Sequence, residues 1–245
     1  MENDWDFYAL LVEDRPASIF VDLSLARHAP VASAATMAYI SVEMRAPRPD
    51  GLSSGDEFDD LVAVEQSLET NLIDGAIYAG RCTTAGYRDF YFYVADVEAF
   101  FASGETAMAG HPAYAYSTGH RADPEWTVYR EFLLPGPRDM QRIHNRRVVA
   151  LLEEHGDRLD LPRSIDHRAY MPTQASADAL QASLFEQGFS VEVCHGDGSG
   201  DVTLDFKRVD APSEIERVVM PVFDLVRSMG GAYDGWGCEV EKAGG

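Results

Sequence analysis

The sequence has little of three things: basic charge, cysteine and uninterrupted apolar stretches. Lysine and arginine total 20 in 245 residues against 41 aspartates and glutamates, a formal net charge of −21. Residues 1–135 hold 22 acidic and 8 basic side chains, or −14, which leaves 19 and 12, or −7, for residues 136–245. Both halves therefore repel phosphate backbones and anionic lipid surfaces, and both attract a basic protein segment. The three cysteines, Cys82, Cys194 and Cys238, stand singly without CxxC spacing. That argues against a disulfide framework or structural zinc and for a reducing compartment. No apolar run approaches the ~18–20 residues needed to cross a bilayer. The start, MENDWDFY, lacks the basic and apolar regions of a secretory leader. A cytoplasmic protein is expected, with neither a direct nucleic-acid partner nor a membrane partner.

Apolar residues make up 46% of the chain, enough for packed cores. Short β-like runs at 5–12 and 17–23 come first. Thr36–Met44 then alternates with period two, and a helix is expected from Ser53 or Ser54 to about Leu72. Ala76–Thr83 and Tyr87–Val94 read as a hairpin, Asp96 caps a helix to about Met108, and Pro112–Thr118 reads as a strand. Trp126–Leu134 reads as an added edge strand before the linker Pro135-Gly136-Pro137. Beyond a helix at 139–155 comes strand 165–171, then a helix from Ser176 to about Glu186. A hairpin through the turn Gly196–Gly200, a helix to about Met229 and a closing strand 236–240 follow. Both halves thus predict β-α-β-β-α-β. The expectation is α+β: two tandem ferredoxin-like domains, 1–137 with extra N-terminal strands and 138–245.

Residue alternation assigns the faces. Ile165, His167, Ala169 and Met171 fall on the helix-covered side with Trp236 and Cys238. Asp166, Arg168, Tyr170 and Asp205 fall on the open side, and Tyr233-Asp234-Gly235 reads as a turn. Asp166, Arg168, Tyr170, Asp205, Tyr233 and Asp234 are therefore the candidates for meeting a partner. In the first half, Tyr39, Tyr78, Tyr87, Tyr91 and Tyr93 are expected on one open sheet face, as an interface with another sheet in the second domain or a second copy.

No catalytic, metal or cofactor residue is predicted. Asp166 and His167 are adjacent in a strand and point to opposite faces, so the carboxylate cannot orient the ring. His167 reads as a core histidine, and the remaining histidines show no HxH or HExxH spacing. Gly196–Asp201 (GDGSGD) lacks the later glutamate of a calcium loop and the lysine of a phosphate loop. Asp56, Glu57, Asp59 and Asp60 read as a structural or solvated face early in a helix, where they suit the helix dipole.

Asn145–Val240 resembles the bacterial regulator of ribonuclease E activity B family. The resemblance rests on NRRVVALLEEHGDRLDLPRSIDHRAY, on Gly188-Phe189 before a strand, and on GGAYDGWGCEV at 230–240. Arg168 stands where the family pattern has an aromatic residue. The upstream half is similar to a bacterial domain of unknown function often fused in front of that family. The match is carried by Trp5-Asp6-Phe7-Tyr8, Pro47–Leu52 (PRPDGL), Gly86–Tyr91 (GYRDFY) and Asp123-Pro124-Glu125-Trp126. The resemblance implies a non-catalytic protein that binds ribonuclease E and modulates RNA turnover. The alternative is an enzyme or small-ligand binder with a cleft between its domains, around Arg81, Arg88 and His167.

Overall fold

A computed structural model describes residues 3–194 and 202–242. The chain divides into two compact units, 1–135 and 136–245. Each is an α+β arrangement built on one antiparallel sheet.

In the first unit β1 (Trp5–Val12) and β2 (Arg15–Asp22) form a hairpin, and β3 (Thr36–Glu43) follows. Then come α1 (Phe58–Thr70), β4 (Ile77–Thr84), β5 (Tyr87–Val94), α2 (Val97–Ala109) and β6 (Tyr116–Ala122). The strands lie in the order β1-β2-β4-β5-β3-β6. Leu61, Val64 and Leu68 of α1 and Phe100, Ala107 and Met108 of α2 cover one face. Beneath them lie Ala38, Ile40, Val42, Tyr78, Phe90, Phe92 and Val94.

The other face is covered as well, which the sequence reading did not anticipate. Trp126–Leu134 is not an edge strand: Val128–Leu133 forms a π-helical turn. The cause is Asp123, whose carboxylate accepts from Thr127 N (2.8 Å) and Val128 N (3.0 Å) and so starts a helical turn. Tyr93 donates its hydroxyl proton to the same carboxylate at 2.7 Å. Trp126 takes a left-handed backbone (φ 57°), rare for a bulky residue. Its fully buried ring stacks on Tyr93 at 3.8 Å, and its indole N–H donates to Ala34 O. Tyr129 and Leu133 are buried beside it; Tyr129 donates to Asp22 O, and Leu133 O accepts from Tyr8.

Smaller details of the first unit are also settled. The first helix opens with a short 3-10 turn at Gly55–Glu57, and neither of its starts has a side-chain cap. Within the acidic cluster Glu57 takes the structural role and is buried, its two carboxylate oxygens accepting from Arg45 N and Ala46 N, both at 2.7 Å. The last strand lies at 116–122, after a turn in which Tyr114 N donates to His111 O.

The second unit begins with α3 (Pro137–Glu154), followed by β7 (Arg163–Met171) and α4 (Gln174–Glu186). β8 (Ser190–Cys194), β9 (Val202–Asp210), α5 (Ile215–Ser228) and β10 (Ala232–Gly237) complete it. The strand order is β10-β7-β9-β8. Ile165, Ala169, Met171, Leu204 and Phe206 pack under Ala177, Leu180, Leu184, Val219, Val222 and Val226. On the opposite face Asp166, Arg168, Glu192 and Lys207 are exposed. The predicted turn Gly196–Gly200 and His195 lie outside the described residues.

β10 begins four residues earlier than expected. Tyr233-Asp234-Gly235 is not a free turn but part of the strand, with a bulge between Tyr233 and Gly235 that absorbs the extra residue. Gly235 suits the bulge, since its φ of +133° is open to glycine at no cost.

Candidate functional site

The second unit carries a groove of about 540 Å³ between α3, the edge strand β10 and the open sheet face. On one side α3 contributes Gln141, His144, Arg147 and Val148. The floor is β10, where Gly235 and Gly237 leave open space in place of side chains. The far side is Asp166 and Arg168 of β7 with Asp205 of β9. A further concavity of about 410 Å³ shares Asp166, Arg168 and Asp205, so the groove continues across the open face.

A buried polar cluster fixes the α3 wall. Gln141 donates to Asn145 Oδ1 at 2.9 Å, and the Trp236 indole donates to the same oxygen at 3.0 Å. Trp236 is therefore only half-buried, tethered to α3, and not in the centre of the core as the alternation suggested. Cys238 is likewise half-buried and lies beyond the end of β10, where Arg163 Nε donates to its sulfur at 3.4 Å.

Of the six residues expected to meet a partner, five surround the open face. Arg168 and Asp205 form a bidentate pair at 2.6 and 2.9 Å, and that pairing raises the exposed arginine above its ordinary range. Tyr170 donates to Asp234 at 3.3 Å. Asp166 and Asp234 are exposed, and among the described residues no cation lies within ion-pair distance of either. Tyr233 is the exception. It is buried opposite Ala169, and its hydroxyl shares a hydrogen bond of 2.7 Å with His167 Nδ1.

His167 sits in the core, 3% exposed, with its ring stacked on Phe206 at 5.2 Å. Burial depresses it to about 4, so it is neutral near pH 7. Its Nε2 is buried without a partner. Asp166 lies on the other face and does not touch the ring, so no acid–base pair forms there. Among the described residues no group of three or more His, Cys, Asp or Glu side chains could hold a metal. Among the described residues no helix is long and apolar enough to cross a membrane.

The tyrosine stripe of the first unit separates into different environments. Tyr78 is buried under α1 and α2, stacked on Phe92 at 5.0 Å. A bulge between Tyr78 and Gly80 shifts the register, so residues before it swap faces. Tyr93 is buried under Trp126. Tyr39 and Tyr91 are half-buried beside Phe132, and Tyr87 is exposed. The expected partner sheet is thus replaced over Tyr91 and Tyr93 by the unit's own helical segment. Arg81 is paired with Glu65 at 2.7 Å. Arg88 is buried, donates to Thr83 Oγ1 at 3.1 Å, and is lowered by burial to about 10.

Gln141, His144 and Asn145 were missed as site residues. The signal was present: polar residues at i and i+4 on the inner side of an amphipathic helix.

A family profile described as Family of unknown function (DUF695) matches residues 3–134. A second profile, Regulator of ribonuclease activity B, matches residues 142–238. No curated protein matches the sequence. Among solved structures, a chain described as an unknown protein from Galdieria sulphuraria aligns over 81% of this chain and 95% of its own, at 11% identity and a TM-score of 0.22. The chain belongs to the DUF695 family, whose profile matches residues 3–134, and residues 142–238 match the Regulator of ribonuclease activity B profile.

Proposed function

We propose that the second unit docks a basic segment of a ribonuclease in the groove beside β10, without catalysing a reaction, and so modulates RNA turnover. The observation that carries this reading is the pair of exposed, unneutralised carboxylates, Asp166 and Asp234, at a glycine-floored groove. Arg168 and Asp205 neutralise one another, and Asp166 and Asp234 set against Arg147 of α3 leave the groove one negative charge in excess. A lysine- or arginine-rich segment gains charge-assisted hydrogen bonds there. Such a segment would otherwise attract RNA phosphates, so its occupation competes with RNA.

A ferredoxin-like plan is supported in the second unit by its element order and the strand order β10-β7-β9-β8. In the first unit, β3-α1-β4-β5-α2-β6 repeats that order, with β1 and β2 added beyond β4. A cytoplasmic setting accords with the free thiols of Cys82 and Cys238.

The test is affinity capture of the full chain's partners from lysate at low and high salt. A ribonuclease recovered at low salt and lost at high salt supports the proposal, because exposed charges are screened within about 10 Å at 0.1 M. Absence of any ribonuclease at low salt overturns it.

A further inference from the structure

The first unit holds a second concavity that the ribonuclease reading leaves unused. It measures about 620 Å³ and lies between the sheet face and the π-helical turn Val128–Leu133. That volume falls within the range of small-molecule sites, roughly 300–1,000 Å³.

Its floor is polar and aromatic. Tyr39 and Ser41 come from β3, and Asp89 and Tyr91 come from β5. Tyr39 lies across Gly119 of β6, where a Cβ would come within 2.7 Å of its ring atoms, so glycine is required for the ring to lie flat there. Phe132 forms the wall, edge-on to Tyr91 at a centroid distance of 5.8 Å. The wall is held in place: the carboxylate of Asp123 gathers Tyr93, Thr127 and Val128, and Trp126 is locked against Tyr93. π-helical turns and left-handed non-glycine residues both cost energy and cluster at functional sites.

Asp89 is the group that needs explaining. It sits mid-sheet, and its Oδ1 is shut off from solvent without a hydrogen-bond partner. The carboxylate otherwise meets two hydroxyls, that of Tyr91 at 3.5 Å from Oδ2 and that of Ser41 across the strand pair. Among the described residues no cationic side chain lies within ion-pair distance of Asp89. A carboxylate placed this way is stabilised by a counter-charge that the unit does not itself supply. Rim residues Glu131 and Arg121 carry opposite charges, which leaves the cleft one negative charge in excess.

We propose that this cleft binds a small organic cation, with Asp89 as its counter-ion and the rings of Tyr39, Tyr91 and Phe132 as its walls. Aromatic faces around a carboxylate suit a cation, which gains from both the charge and the ring quadrupoles. The hydroxyls of Ser41, Ser117 and Thr127 provide further acceptors for its N–H groups. Burial holds the Asp89 carboxyl above its ordinary range, and a bound cation would bring it down again.

Agmatine is a suitable probe, titrated calorimetrically into the full chain at physiological salt. 1,4-Butanediol and succinate serve as the neutral and anionic comparators. Agmatine is expected to bind while the comparators do not. Asp89→Asn should weaken it by roughly tenfold or more, the loss of one charge-assisted contact. Ser117→Phe places a ring at the exposed mouth without touching the core and should abolish binding, which settles the matter if the Asp89 variant folds poorly. Glu186→Gln, an exposed carboxylate of α4, should leave binding unchanged and so separates the cleft from general attraction to an acidic protein. The proposal is overturned by undiminished agmatine affinity in Ser117→Phe, by equal binding of succinate or butanediol, or by no binding of agmatine.

Discussion

In the first unit, the sheet face turned away from α1 and α2 is roofed by Trp126, Tyr129 and Leu133. In the second unit, the face turned away from α4 and α5 presents Asp166, Arg168, Glu192 and Lys207 to solvent. The element order β-α-β-β-α-β is common to both sheets, and the segment 123–134 is what covers the second face in the first unit. Where that segment exists, the second face turns aromatic and only a bounded cleft remains. Without it, alternation leaves a polar face, as an antiparallel sheet covered on one side requires. A cleft suits a small ligand, and an open charged face suits a protein chain.

The largest expected effect is at the roof. Trp126→Ala should cost roughly 3–5 kcal/mol, because a fully buried, stacked ring and an indole hydrogen bond are lost together. Denaturant unfolding combined with hydrogen exchange should localise that loss to residues 1–135. A shift under about 1 kcal/mol would mean that the roof is dispensable.

Next is Asp123→Asn, expected to cost roughly 3 kcal/mol by weakening several bonds to one buried carboxylate. Burial alone would raise that carboxyl, but the bonds from Thr127, Val128 and Tyr93 outweigh it and hold it below the ordinary aspartate range. A depressed carboxyl stabilises the fold above its unfolded pKa and loses that contribution as pH falls through its folded value. The wild-type first unit should therefore loosen on acidification, and the Asn variant should show a flatter profile.

His167 gives the second unit a different acid response. Its folded value of about 4 lies below the ordinary histidine range, so the folded state binds fewer protons than the unfolded state between about pH 6.5 and 4. Stability is complete above that window and should fall by roughly 3 kcal/mol across it. Urea titrations of the full chain at stepped pH, with exchange resolved by unit, would show the second unit weakening first. Simultaneous loss in both units would remove the distinction.

Trp236→Ala is the mildest of the series. The ring is half-buried and held by one bond to Asn145, so roughly 1–2 kcal/mol is expected, well short of the Trp126 cost. Equal melting shifts for the two tryptophan variants would contradict the contrast between a roofed unit and an open one.

Much of this contrast was legible from period-two alternation. The β4–β5 hairpin, the helix-covered set Ile165, His167, Ala169 and Met171, and the repeated α+β order all follow from it. Legibility ended where one residue changed the count. The bulge after Tyr78 moved that ring into the core, and the bulge before Gly235 turned an apparent Asp-Gly turn into strand and buried Tyr233. Trp126–Leu134 failed for another reason. Its apolar residues alternate like a strand, but a carboxylate three residues before Trp126 captures two amides and imposes a helical turn. The groove's Asp166 and Asp234 were visible as exposed positions, whereas the Gln141–Asn145–Trp236 tie that shapes its wall depends on long-range contact.

The most direct test of the division between the units is hydrogen exchange of the full chain with and without an arginine-rich peptide from the captured ribonuclease. The account predicts slowed exchange in β10 and α3, unchanged exchange in β3, β5 and residues 123–134, and loss of protection in the Asp166→Lys/Asp234→Lys variant. Protection confined to the first unit, or protection that survives the double charge reversal, would contradict it.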